Sequence, residues 1–128
     1  MRIASVRSWK FADVVVNNSV WGSNQSRFGK WESGETLVLL IGNEGVLVAT
    51  VSGKPFTSDQ MIWEDDLYEY RVPVRIERVL RGDASAAANQ AVRKALVAGL
   101  GGNYGAYIMS QTKLPKEVEK LVNTDLVR

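Results

Sequence analysis

Two asparagines and two tryptophans hold most of the chemistry in the first half of the chain. Asn17 and Asn18 precede Trp21, Gly22 and Ser23 in N-N-S-V-W-G-S-N-Q-S-R-F-G-K-W, and the residues after Trp21 read as a polar loop. An indole in such a loop offers a flat apolar face on which a planar ring stacks, worth roughly 1–3 kcal/mol for a nucleobase. An asparagine amide sets a donor beside an acceptor, the pattern that answers the edge of adenine. Trp63 is a second indole outside an apolar run, placed directly before Glu64-Asp65-Asp66. Arg27 and Lys30 lie beside the Trp21 loop as candidate phosphate contacts, and Arg71 and Arg75 offer the same chemistry on an alternating stretch. Each has a plainer use as well. Trp21 can anchor a packed loop, Trp63 can close a sheet, the asparagines can cap or turn the chain, and the two arginines can form a solvated face.

What the chain lacks removes whole reaction classes. Its 128 residues contain no cysteine and no histidine. A Ser-His-Asp triad, a cysteine nucleophile and a zinc-thiolate or zinc-imidazole site are therefore excluded. The glycines at 99, 101, 102 and 105 do not space as G-x-G-x-x-G and follow an expected helix rather than a strand. Three acids in a row at Glu64-Asp65-Asp66 cannot all face one point, so a solvated turn is expected there instead of a metal site. No cofactor is expected, and binding is favoured over catalysis.

The charge is segregated. Residues 1–31 carry five basic and one acidic residue (+4), residues 32–70 one and eight (−7), and residues 71–128 ten and five (+5), which sum to the net +2. Such a distribution produces a basic face suited to phosphates, or simply two solvated faces. The N-terminal heptapeptide has no apolar signal core, and the longest apolar run, Leu37–Ile41, is too short to span a bilayer. The expectation is a cytoplasmic protein with no membrane partner.

The elements that must position these residues are mostly strands in the first two thirds. E-T-L-V-L-L-I-G-N-E-G-V-L-V-A-T-V-S-G reads as a hairpin turning at Gly42 to Gly45. Y-R-V-P-V-R-I-E-R-V-L alternates Val72, Val74 and Ile76 against Arg71, Pro73, Arg75 and Glu77, and Pro73 places it at a sheet edge or an open-sided position. R-I-A-S-V-R-S-W-K-F reads as a first strand holding Trp9 in the core. A-D-V-V-V-N-N is ambiguous between strand and short helix. Asp83 is placed to cap an alanine-rich helix ended by Gly99, G-L-G-G-N-Y-G-A-Y reads as a loop, and L-P-K-E-V-E-K-L-V-N-T-D-L-V is a second helix started by Pro115. One domain over residues 1–128, of class α+β with peripheral helices, is expected.

The order of four stations resembles a known family. These are Asn17/Asn18 with Trp21-Gly22, Gly34 to Leu40, Val51 to Phe56, and Ile62-Trp63 through Val74. Together they resemble the EVE and YTH branch of PUA-like domains, closest to the EVE-like modules at the N-terminus of McrB-type modification-dependent restriction proteins. The resemblance implies a small twisted β-barrel whose aromatic cage holds a modified base extruded from its strand. Trp21 and Trp63 match the cage tryptophans, Asn17 or Asn18 the polar reader of the base edge, and Gly22-Ser23 the backbone beside the base. Phe56, Trp31 or Leu67 is left to supply a third wall. The implied partner is methylated duplex DNA, N6-methyladenine ahead of 5-methylcytosine, with an AAA+ GTPase motor and a nuclease subunit completing a restriction system. An RNA-binding PUA-like module that reads modified or structured RNA is the alternative. Because a cage must open to admit a base, Trp21 and Trp63 are expected to contribute less to stability than the core residue Trp9.

Overall fold

A computed structural model describes residues 1–126. Strands β1 (Arg2–Val6), β2 (Val20–Ser23), β3 (Thr36–Ile41), β4 (Gly45–Val51), β5 (Phe56–Thr57) and β6 (Tyr70–Leu80) alternate with helix α1 (Trp9–Asn18). Helices α2 (Ser85–Leu100), α3 (Tyr104–Ser110) and α4 (Lys116–Leu126) complete the chain. The strands form one mixed sheet in the order β1-β3-β4-β6-β2, with β5 attached to β6. The β1–β3 pair is parallel and the other pairs are antiparallel. The α+β class with a small twisted barrel and peripheral helices, expected from the sequence, is the one observed, the sheet curling into a half-barrel.

Both faces of this sheet are covered, and the sequence shows why. Leu37, Leu39, Ile41, Leu47, Ala49 and Val51 face one core with Trp9, Trp21, Trp31 and Trp63. Val38, Leu40, Val46 and Val48 face the other, under Val92 and Leu96 of α2 and Val118 and Val122 of α4. Strands buried on two sides need continuous apolar runs rather than alternation, which is what T-L-V-L-L-I and G-V-L-V-A-T-V supply. Helices α2 and α4 pack closely because Gly99 lacks a side chain. A Cβ there would come within 2.7 Å of Val118 Cγ2. Gly99 therefore sits inside α2, which runs on to Leu100 and ends at Gly101.

Several sequence expectations are corrected. The first strand stops at Val6, and Trp9 opens α1, whose β-branched Val14-Val15-Val16 run is helical because Ala12 and Val15 bury against the sheet. Packing outweighs propensity there. Trp9 is in the core as expected, against Gly45 and under the Arg81 guanidinium. Strand β6 is central, between β4 and β2, so Pro73 is not on an edge. The β4 ladder ends at Val51 opposite Val74, and Pro73 needs only to accept, from Ser52 N–H at 2.9 Å. Asp83 does not cap α2. The cap is Ala84 in the left-handed region, and the Ser85 hydroxyl donates to the Gly82 and Glu44 carbonyls. The glycine-rich stretch is not a loop but a 3-10 turn over Gly101–Asn103 followed by α3. Helix α4 follows Pro115 as expected, and Val127 lies outside the described residues. No helix among the described residues is long and apolar enough to cross a membrane.

Candidate functional site

Trp21 is not in a loop. Val20–Ser23 forms β2 and pairs with β6 in the register Trp21↔Val72, Gly22↔Arg71 and Ser23↔Tyr70, and the polar loop begins only at Asn24. This short edge strand forms the back of a pocket of about 350 Å³, within the range of small-ligand sites. Around it stand Arg7 and Phe11 from the β1–α1 corner, Trp63, Asp65 and Tyr68 from the segment before β6, and Ile108, Met109 and Gln111 from α3 and its cap. Asn24 and Arg27 close the remaining side. Trp21, Trp63, Gly22 and Ser23, named from the sequence, are thus brought together.

Both indoles are held from behind. Trp21 Nε1 donates to Gln111 Oε1 at 3.0 Å. Gln111 is itself fixed in the left-handed conformation at the end of α3, its N–H on the Tyr107 carbonyl and its own carbonyl accepting from Arg2 at 2.9 Å. Trp63 brings its Cη2 and Cζ3 atoms close to the Gly22 backbone, and its ring meets Tyr68 edge-to-face at a centroid separation of 5.3 Å. Only glycine at position 22 permits this approach, since a Cβ would sit 2.8 and 2.9 Å from two indole carbons and 3.1 Å from Tyr68 Cβ. Gly22→Ala is therefore expected to lower stability by about 1–3 kcal/mol, the usual cost of overpacking, and to shift the near-ultraviolet circular dichroism of Trp63. An unchanged melting temperature and spectrum would show that Trp63 yields freely.

A polar wall faces the indoles. Tyr68 Oη donates to Asp65 Oδ2 at 2.6 Å, and the Arg7 guanidinium donates to the same oxygen at 2.7 Å while stacking on Phe11. The bond to Asp65 and then burial push the Tyr68 hydroxyl up to about 12. Burial works against ionisation of Asp65. The bonds from Tyr68, a backbone amide and Arg7 outweigh it, so the carboxyl lies below its ordinary value and is ionised at neutral pH. The three acids of the 64–66 run separate as expected: Glu64 pairs with Lys10, Asp65 with Arg7, and Asp66 accepts from the Leu67 N–H. Among the described residues no three His, Cys, Asp or Glu side chains gather as metal ligands.

Other sequence candidates fall elsewhere. Asn17 and Asn18 are exposed on the last turn of α1, where Asn18 Nδ2 donates to the Val14 carbonyl, and neither lines the pocket. A-D-V-V-V-N-N takes the helical alternative, which leaves Asn24 as the amide at the rim. Phe56, on the outer strand β5, is exposed, Trp31 is buried in the core and Leu67 is half-buried, and none of the three lines the pocket. Phe11 and Tyr68 provide the further aromatic walls. Arg71 is 3 % exposed and turned inward. It donates to the Gln60, Leu67 and Tyr68 carbonyls and lies 5.6 Å from the Trp63 ring centre, so it fastens the segment that carries Trp63. Burial lowers its pKa. Arg75 is on the outer face of β6, paired with Glu77 at 2.7 Å. Neither serves the pocket mouth. Arg27 does reach it, donating to the Met109 carbonyl at 2.8 Å, and it also borders a neighbouring groove with Lys30, Lys113, Ser26, Ser110 and Thr112.

The sheet order, the helices on its faces and the aromatic pocket at its β2 edge can be compared with known proteins. No family's sequence profile matches the chain, and no curated protein matches it. Among solved structures it superposes on the YTH domain of Pho92, determined in complex with m6A. The TM-score is 0.56 at 17% identity, covering 97% of this chain and 84% of that one. The fold is YTH-like. At this identity the shared feature is the path of the backbone.

Proposed function

We propose that this YTH-like domain is a non-enzymatic reader of a methylated base, taken from its strand into the pocket between Trp21 and Trp63. The observation that carries the reading is the pocket itself: two indoles from separate segments, backed by Gln111 and Gly22, on a fold whose solved counterpart was determined with m6A. Stacking on aromatic faces returns roughly 1–3 kcal/mol per base, enough to offset much of the few kcal/mol that extrusion costs. A methyl group in a fitted pocket adds about 1–3 kcal/mol of discrimination.

The lining favours adenine. The Asp65 carboxylate accepts from an exocyclic amine and repels a keto oxygen, and the Asn24 amide supplies the donor–acceptor pair at the rim. N6-methyladenine keeps one amine hydrogen and adds the methyl group, so it ranks ahead of 5-methylcytosine. The order of motifs along the chain supports methylated duplex DNA as the target and a McrB-type restriction system, with its AAA+ GTPase motor and nuclease, as the setting. Arg27 and Lys30, beside the pocket and along the cationic groove, are the phosphate contacts in this reading.

Fluorescence anisotropy on oligonucleotides of one sequence, with and without N6-methyladenine and as DNA and as RNA, tests it at fixed salt. The methylated DNA is expected to bind about tenfold more tightly than its unmodified copy. Affinity should fall with salt by about 0.9 logarithmic units per phosphate contact, and Arg27→Ala should flatten that slope by about one unit while leaving the methyl preference intact. Equal affinity for methylated and unmodified strands rejects the reader. A preference confined to RNA rejects the DNA assignment alone.

A further inference from the structure

Met109 lines the mouth of the aromatic pocket and is 80% exposed, the most exposed large apolar side chain among the described residues. A single exposed apolar residue needs no special account. The stem of this one is built differently from its tip. Its carbonyl is held by Arg27 at 2.8 Å, Ile108 beside it is half-buried in the same pocket, and Gln111 two residues on is fixed through Trp21 and Arg2. A firmly held backbone thus presents a flexible, polarisable thioether beside the opening through which a base would enter. The groove on the other side of Arg27 is bordered by Lys30 and Lys113 with the Ser110 and Thr112 hydroxyls, and no carboxylate among the described residues lines it.

An extruded base leaves a gap in the duplex, and proteins that open a stack fill such gaps with Met, Leu, Ile, Phe or Pro side chains. Resting on the reader proposed above, we infer that Met109 is that wedge. It enters the base stack as the modified base enters the pocket, while Arg27, Lys30 and Lys113 hold the flanking phosphates. The substrate class that follows is a base-paired DNA duplex, because a single strand has no gap to fill.

The test compares wild type, Met109→Ala, Met109→Leu and the control Leu121→Ala, another exposed apolar residue away from the pocket. The probes are one oligonucleotide with N6-methyladenine and its unmodified copy, each as a single strand and as a duplex, with 2-aminopurine beside the target base to report unstacking. Met109→Ala, which also trims the pocket rim, is expected to weaken duplex binding about tenfold more than single-strand binding and to abolish the 2-aminopurine rise. Met109→Leu should restore both signals, and Leu121→Ala should alter neither. The wedge is refuted if Met109→Ala weakens both forms equally or leaves duplex binding intact, or if wild type binds the single strand alone. Methyl preference of wild type on the single strand is read in the same experiment. If that preference is present while Met109→Ala fails to separate the two forms, the wedge falls and the reader stands. If it is absent from both forms, the reader falls and takes the wedge with it.

Discussion

Arg71→Met is expected to destabilise the domain by about 2–4 kcal/mol and to erase methyl-dependent binding along with the lost stability. The Arg71 guanidinium satisfies three carbonyls of one segment, those of Gln60, Leu67 and Tyr68, and sits over the indole of Trp63. A methionine of similar length fills the space but donates nothing. The carbonyls must then find water, or the segment must open, and Trp63 loses its support on that side. Hydrogen bonds to charged groups are worth about 1.5–3 kcal/mol each, discounted here because part of the 58–69 segment can reach solvent. Arg75→Met, two residues along the same strand, is the comparison. Its pair with Glu77 is exposed and screened by solvent, so losing it should move stability little. Denaturant melts separate the two variants. If Arg71→Met keeps its stability and weakens methylated and unmodified oligonucleotides alike, Arg71 contacts phosphate, as its place on an alternating strand suggests.

That reversal shows where the sequence was legible and where it was not. The hairpin of β3 and β4 was plain, because continuous apolar runs around Gly42 to Gly45 have few other uses. Helices α2 and α4 were visible in alanine content and apolar spacing. The pairing of Trp21 with Trp63 in one pocket followed from the resemblance in motif order, and their shared context, an indole outside an apolar run, agreed with it. Arg71 was misplaced because alternation assigns a residue to a face without saying what covers that face. Here the face of β6 that carries Arg71 is roofed by the segment that Arg71 itself fastens. Asn17 and Asn18 were misplaced because α1 forms against its β-branched propensity, through burial of Ala12 and Val15. Tyr68 and Asp65 had a signal, the spacing W-x-D-x-x-Y from Trp63, that acquires meaning only once Trp63 is known to line a pocket. Ile108, Met109 and Gln111 had none. A stretch with glycines at 99, 101, 102 and 105 reads as loop, and only the docking of α3 beside β1 brings them to the site.

The tryptophans decide between cage and core, but not through stability. Trp21 is 9% exposed, Trp63 4% and Trp9 9%, and all three belong to one buried cluster. The contrast expected from an open cage is therefore absent, and each change to alanine should cost about 3–5 kcal/mol. Binding separates them. Trp63→Ala and Trp21→Ala remove faces that line the pocket, so the ratio of affinities for methylated and unmodified oligonucleotides should fall to about one. Trp9 packs on Gly45 at the far end of β4, so the folded fraction of Trp9→Ala should keep the wild-type ratio. Trp21→Phe adds a finer measurement. It keeps an aromatic face but leaves Gln111 Oε1 without its donor, and should lose about 1–2 kcal/mol of stability while retaining much of the preference. Affinity ratios measured well below each variant's melting temperature make the comparison fair. If Trp9→Ala loses the ratio and Trp63→Ala keeps it, the base is held elsewhere, and the indoles around β2 serve the core alone.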